Sequence, residues 1–258
     1  MTYLTLQKSR RKAFLLPPPL LRQQDVIRGI LCHWQVPYVR EQDIEKRLYR
    51  LLSERESGTL LLPEDFLYRE PIVEAGVPIF DREWLYRARF IDVARNAIRQ
   101  TGLSGKRLAL WANTQEEVYA FCKAVLSDVQ MLTVCCPEDC KILCDSLTHF
   151  YGIPVIEGRL GSAVKCEAHI ALDCHLSLPA FEKIPQLALL RGSRYQANTG
   201  RITKINSAEF ATAQSERFAF PAAFSPSLQA SVLAFQGAIA IKTPEISRFV
   251  YNGADAGL

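Results

Sequence analysis

The chain is 258 residues long, 48% hydrophobic and 22% charged, with a formal net charge of +4 at pH 7. That length holds one large α/β domain or two modest ones, and the composition is ordinary for a globular protein. Eight cysteines in such a chain exclude a small disulfide scaffold, and no run approaches the roughly 18 apolar residues a membrane span needs.

The charge is uneven, with 18 Lys and Arg against 13 Asp and Glu up to Lys106, and 13 against 14 beyond it. So mild a bias is solvated surface first, and nucleic-acid binding is disfavoured. "SRRKAFLLPPPLL" (9–21) is not a secretion signal, because three prolines break it and no small-residue cleavage site follows. The expected location is cytoplasmic, with reduced thiols. The first 24 residues read as an extended arm or short strand and then a polyproline stretch. "DVIRGILCHWQ" (25–35) and "EQDIEKRLYRLLSERE" (41–56) both have helical spacing. In the second, Ile44, Leu48, Leu51 and Leu52 form the apolar stripe. "GTLLLP" (58–63) is a short buried strand, and "EWLYRARFIDVARNAIRQTG" a long helix capped by Gly102.

From residue 105 short apolar strands alternate with helices. "KRLALWA", "MLTVCC", "PVIEG", "AHIALDC" and "QLALLRG" are the strands; "TQEEVYAFCKAVLSD" and "PEDCKILCDSLTHFYG" are the helices. This alternation predicts an α/β protein whose mostly parallel sheet carries helices on both faces. A smaller N-terminal part, a long helix, "GLSGKRLALWAN" and then alternating strands and helices resemble the Rossmann-like domains of two-domain dehydrogenases, such as shikimate dehydrogenase and glutamyl-tRNA reductase. The resemblance covers about residues 85–205 and is one of pattern, with no family-specific motif. The expected division is a smaller α/β part at 1–84, the Rossmann-like domain with its leading helix at 85–220, and a C-terminal helix and tail at 221–258. In that tail Ser225 is a helix cap, and the helix itself is a candidate dimer surface.

The first turn of the predicted sheet departs from the dinucleotide pattern. Such a turn needs glycines for close approach to a pyrophosphate and free amides at the helix start. "WANTQEEVY" has no glycine, Thr114 and Glu117 stand at capping-box spacing, and Glu116 and Glu117 put negative charge where a phosphate belongs. Binding of NAD(P) through this turn is therefore disfavoured, and the cofactor stays open. In "CCPED" (135–139) Pro137 suits a first helical position, with Glu138 or Asp139 opening the helix.

"LTVCCPEDCKILCDSL" (132–147) concentrates four cysteines. Cys140 and Cys144 share a helix face with Leu143, Leu147 and Tyr151, the buried stripe, and no tidy second ligand pair exists. Core filling is the expectation, with no metal. "ALDCHLSLP" (171–179) lies at a strand end, where open α/β sheets bind ligands. Asp173 and His175, two apart, are the catalytic candidates, since the acid would orient the imidazole as a base; Cys174 and His175 point to opposite faces. The candidate ligand-binding residues are Asn113, Arg159, Asp173, His175 and Arg191. Arg159 belongs to "EGRLGSAVK" (157–165), a candidate anion nest with Lys165. Arg191 opens "RGSRYQANTGRITK" (191–204), a hairpin or phosphate-facing loop with Arg194 and Arg201.

The leading expectation is an accessory or regulatory protein that binds a small metabolite or a protein partner. The alternatives are an NAD(P)-dependent oxidoreductase with a nonstandard cofactor site, and a nucleic-acid-binding regulator using Arg47, Arg50 and Arg55.

Overall fold

The computed structural model describes residues 1–9, 18–55, 58–174, 184–191 and 202–251. The chain divides into two compact units, Met1–Leu85 with Phe210–Glu245, and Tyr86–Glu209 with Ile246–Leu258.

The first unit is built on a four-stranded sheet of β1 (Thr2–Lys8), β2 (Arg22–Ile27), β3 (Leu31–Tyr38) and β4 (Leu60–Leu61), in the order β2-β3-β1-β4. β1 runs parallel to β3 and β4, and β2 antiparallel to β3. The expected helix over 25–35 is therefore two strands instead. Gly29, at φ 72°, takes the left-handed conformation the reversal needs, and Leu31, Trp34 and Val36 then bury across the pleat. Cross-strand pairing outweighed the local helical spacing. α1 (Ile44–Glu54) buries Ile44, Leu48, Leu51 and Leu52, the stripe its spacing predicts. It packs with Leu4 and Leu60 on one sheet face. α2 (Glu70–Glu74) adds Ile72 to that core. The neighbouring residues Tyr3 and Leu61 face the other way, onto Phe80, Phe224, Leu228 and Val232.

Arg47 donates to the carbonyls of Pro18 (3.2 Å) and Pro19, Arg50 pairs with Glu54 at 2.7 Å, and Arg55 reaches Gln23 at 3.3 Å. The three arginines proposed for nucleic acid thus all have partners within the unit.

The expected long helix is broken into α3 (Trp84–Ala88) and α4 (Phe90–Gln100) at Arg89, whose φ −112°, ψ 20° leaves the helical region. Gly102 (φ 69°) ends α4 as predicted, with Leu103 N–H returned to Ile98 O at 3.0 Å. The second unit then alternates β5 (Arg107–Trp111), α5 (Gln115–Val125), β6 (Met131–Cys135), α6 (Lys141–Tyr151), β7 (Val155–Glu157), α7 (Leu160–Ala163), β8 (Ala168–Leu172), β9 (Gln186–Leu189) and β10 (Ile202–Ala211). α8 (Pro226–Phe235), capped by Ser225 on Leu228 N–H, belongs to the first unit, and β11 (Glu245–Tyr251) closes the seven-stranded sheet. Its order is β11-β10-β9-β8-β5-β6-β7, and β5 to β10 all run parallel. Counted from β5, six strands stand in the order 3-2-1-4-5-6, the doubly wound arrangement. The fold is Rossmann-like. Because β9 and β10 are parallel, no hairpin joins them. Among the described residues no helix is long and apolar enough to cross a membrane.

Register assigns the two sheet faces different chemistry. Leu108, Leu110, Leu132, Val134, Ile170 and Leu187 line one face. On the other, Thr133, Ala109, His169 and Gln186 form one row, and Cys135, Trp111, Ala171, Ala188 and Lys204 the next. Ala163 and Cys166 pack there against Ala109 and Cys135.

Gly158 closes tightly on this second face. A Cβ there would lie 2.1 Å from Thr133 Cγ2. Gly158→Ala should therefore cost about 1–3 kcal/mol by overpacking. Thr133→Ser removes the offending methyl, so the double variant should recover part of that loss in urea unfolding. Equal loss in single and double variants would reject the contact.

His169 is fully buried, and its Nδ1 accepts the Trp111 Nε1–H at 3.0 Å. Burial pushes the imidazole down to about 4, opposed by a hydrogen bond with the Ala163 backbone. As pH falls from 6.5, the unfolded chain takes the proton before the native one does. Stability is therefore full above pH 6.5 and is lost towards pH 4, by about 3 kcal/mol. His169→Gln should flatten the stability–pH curve in that window, measured as the difference from the parent protein.

Candidate functional site

The order of the strands reverses between β5 and β8, and the crevice beyond their carboxyl ends is where such sheets bind ligands. β5 delivers Asn113 and the start of α5, β8 delivers Asp173 and Cys174, and β9 delivers Arg191. These residues converge.

Glu117 is the hub. Its Oε2 accepts the Asn113 backbone N–H at 3.0 Å, and its Oε1 meets Arg191 Nη2 at 2.8 Å. The guanidinium lies 4.6 Å from the centre of the Phe90 ring, so the ring face and the carboxylate together fix its position. Asp173 takes the left-handed conformation (φ 54°) that ends the strand, which Asp tolerates better than most residues. Its carboxylate accepts the Arg191 backbone N–H at 3.1 Å, and its own N–H goes to Leu189 O at 2.8 Å. The Cys174 thiol lies 3.0 Å from Leu172 O and 3.3 Å from Asn113 Oδ1. Burial first, then the charges of Glu117 and Asp173, push that thiol up to about 11. At neutral pH it is a hydrogen-bond donor and not a nucleophile.

The start of α5 is closed. Thr114 Oγ1 accepts Glu117 N–H at 3.3 Å, and Glu138 Oε2 accepts Gln115 N–H at 2.6 Å. The Gln115 side chain in turn donates to Asp139 O at 2.6 Å. Thr114 caps as its spacing predicts, whereas Glu117 reaches back one residue beyond the usual capping-box amide, to Asn113. Of the two acids expected to open the next helix, Glu138 bridges to α5 instead, and α6 begins only at Lys141. Asp139 Oδ1 holds the Lys141 N–H at 3.0 Å, and Glu157 holds the Cys140 N–H at 2.8 Å. Pro137 is thus in the turn, outside the helix.

A dinucleotide does not fit these residues. Its pyrophosphate would need the amides that Glu117, Thr114 and Glu138 already fill, and would face two carboxylates. Glu138, the acid nearest a ribose-binding position, is spent on Gln115.

Of the candidate ligand-binding residues, Asn113, Asp173 and Arg191 are brought together; only Asp173 was expected at a strand end, and Arg191 was expected in a hairpin or loop. Arg159 is not among them. It lies past β7, two strands from β5, and Ser162 Oγ closes its turn by accepting Arg159 N–H and donating to Arg159 O. His175, Arg194 and Arg201 lie outside the described residues, so the Asp173–His175 pairing does too; the strand has in any case ended at Leu172. Glu138 and Phe90 were missed as site residues. Glu138 carried a signal, an acid just past a strand end, but nothing local tied Phe90 to Arg191.

Three cysteines of the cluster fill the core, while Cys136 lies near enough to the Cys174 thiol to help raise it. Cys135, Cys140 and Cys144 are buried, and burial raises their thiols to about 12, 12 and 11. Leu147 shares that stripe, but Tyr151 turns outward. No group of three or more His, Cys, Asp or Glu among the described residues is placed to hold a metal ion.

Comparison with known proteins adds little. No family model matches the chain, and no curated protein matches it. Among solved structures it is similar to L-tryptophan dehydrogenase from Nostoc punctiforme, at 12% identity and a TM-score of 0.30. The match covers 80% of this chain, which spans about half, 55%, of that one. So low a score supports nothing beyond what strand order already shows.

Thr114→Ala should lower stability by about 0.5–2 kcal/mol in urea unfolding, the usual loss for an N-cap. Glu117→Gln keeps an acceptor for Asn113 but loses the charge facing Arg191. Its cost should largely persist when salt is raised to about 1 M, because salt screens a partly buried pair much less than an exposed one.

Proposed function

We propose that the protein is an accessory or regulatory protein that binds a small metabolite or a protein partner in the crevice beyond β5, β8 and β9, without dinucleotide chemistry. The observation that carries this reading is the pair of carboxylates, Glu117 and Glu138, lodged on the amides of the α5 start. An enzyme of hydride transfer would leave those donors open for its cofactor. Among the described residues, the charged groups at the crevice are three acids, Glu117, Glu138 and Asp173, against one guanidinium, Arg191. That balance favours a neutral or cationic ligand over a phosphorylated one. Asn113, exposed at the end of β5, is the group best placed to select it by hydrogen bonding.

Calorimetric titration with NAD, NADP and FAD tests the reading. The expected outcome is no binding in the micromolar range, and no change of melting temperature with any of the three. Micromolar affinity that collapses in Thr114→Ala would place a cofactor at this helix start and move an oxidoreductase to first place.

A further inference from the structure

The outward face of α6 carries two apolar side chains that a soluble surface seldom leaves bare. Ile142 and Phe150 are each 83% exposed. They stand at i and i+8 with Ser146 between them at i+4, so the three form one row along the helix. Ser146 spends its hydroxyl on Ile142 O at 2.8 Å, which leaves a small, locally satisfied residue at the middle of the row. Tyr151 packs on the Phe150 ring at 5.6 Å and steadies it. The next row is Lys141, Asp145 and His149, all exposed.

This pattern reads nearly the same in both directions, and we propose that the α6 face pairs antiparallel with the same face of a second copy of this chain. With 1.5 Å of rise per residue, a two-fold axis passing beside Ser146 brings Ile142 of one copy to within about 1.5 Å, in axial level, of Phe150 of the other. The same axis sets Asp145 opposite His149 of the second copy, also within about 1.5 Å in level, and keeps the two Asp145 carboxylates about 4.5 Å apart along the axis. A carboxylate thus meets an imidazole N–H on one flank while apolar side chains meet on the other. Ser146 at the crossing lets the backbones approach. An isologous contact needs this self-complementarity, in which each patch supplies both halves of every pair. An unrelated partner has no need of it. Three helical turns bury less than the roughly 800 Å² per partner of a standard interface, so the dimer is weak, with a dissociation constant on the order of 10–100 μM.

Sedimentation velocity of the full chain from about 1 to 300 μM tests the pairing. A monomer–dimer equilibrium across that range is expected. Phe150→Glu and Ile142→Glu should each leave a monomer at every concentration, with the parent's circular dichroism retained because both side chains are exposed. Asp145→Lys should weaken the dimer, and adding His149→Glu should restore it, which a merely sticky patch would not do. The Ser146→Cys variant should cross-link into a covalent dimer under mild oxidation where the parent chain does not. A monomer at all concentrations, which would leave the face to some other protein, overturns the proposal. So does a dimer indifferent to Phe150→Glu.

Discussion

Every helix begins with amide donors that nothing inside it can satisfy, and at the start of α5 the chain supplies the acceptors itself. Glu117 folds back to Asn113, Thr114 caps Glu117, and Glu138 crosses from the next strand to Gln115. The arrangement depends on Arg191, because it lies 2.8 Å from a half-buried carboxylate that would otherwise be uncompensated. Arg191 in turn is held by Phe90 below and by Asp173 through its backbone. The ends of β5, β6, β8 and β9 and the helices α4 and α5 are thereby tied at the one place where a sheet of this order is open. What elsewhere would be a phosphate cradle is here an internal ion pair with a polar fringe.

The unequal faces of the sheet carry a second constraint. An aliphatic face can be covered by any amphipathic helix of suitable volume. The face with Thr133, His169, Gln186 and Lys204 cannot, because each polar group needs its own partner in a dry setting. Trp111 answers this for His169, donating to the ring instead of merely stacking on it. Alanine at positions 109, 171 and 188 leaves room between those groups. Such a face specifies its covering more narrowly than an oily one does.

Much of the second unit was legible in the sequence, since parallel strands buried on both faces read as short apolar runs between helices. The α4 and α8 caps were legible too, because glycine and serine act through local geometry. The strand pair at 22–38 was not. Ile27, Leu31 and Trp34 fit a helical stripe as well as a pleat, and only their pairing with β1 and with each other decides between them. At the site, Thr114 and Glu117 were visible as a cap because they are three residues apart. Arg191 on Glu117 and Glu138 on Gln115 were invisible, being contacts across 74 and 23 residues that no periodicity encodes. The start of α6 was misplaced for the same reason on one side only: Glu138 has its partner in Gln115, whereas Asp139 holds the Lys141 N–H locally.

The path of the chain through its two units has a consequence for how the protein is made. The first unit takes its opening 85 residues from one end of the sequence and Phe210–Glu245 from near the other, and Tyr3 packs edge-on against Phe224 at 4.9 Å. On the ribosome, the sheet that emerges first must therefore wait for Tyr86–Glu209 of the other unit to be translated before α8 can cover its second face. At typical elongation speeds that delay is roughly ten seconds. During it, Tyr3, Leu31 and Leu61 stay uncovered, and the nascent chain is a natural client for holding chaperones.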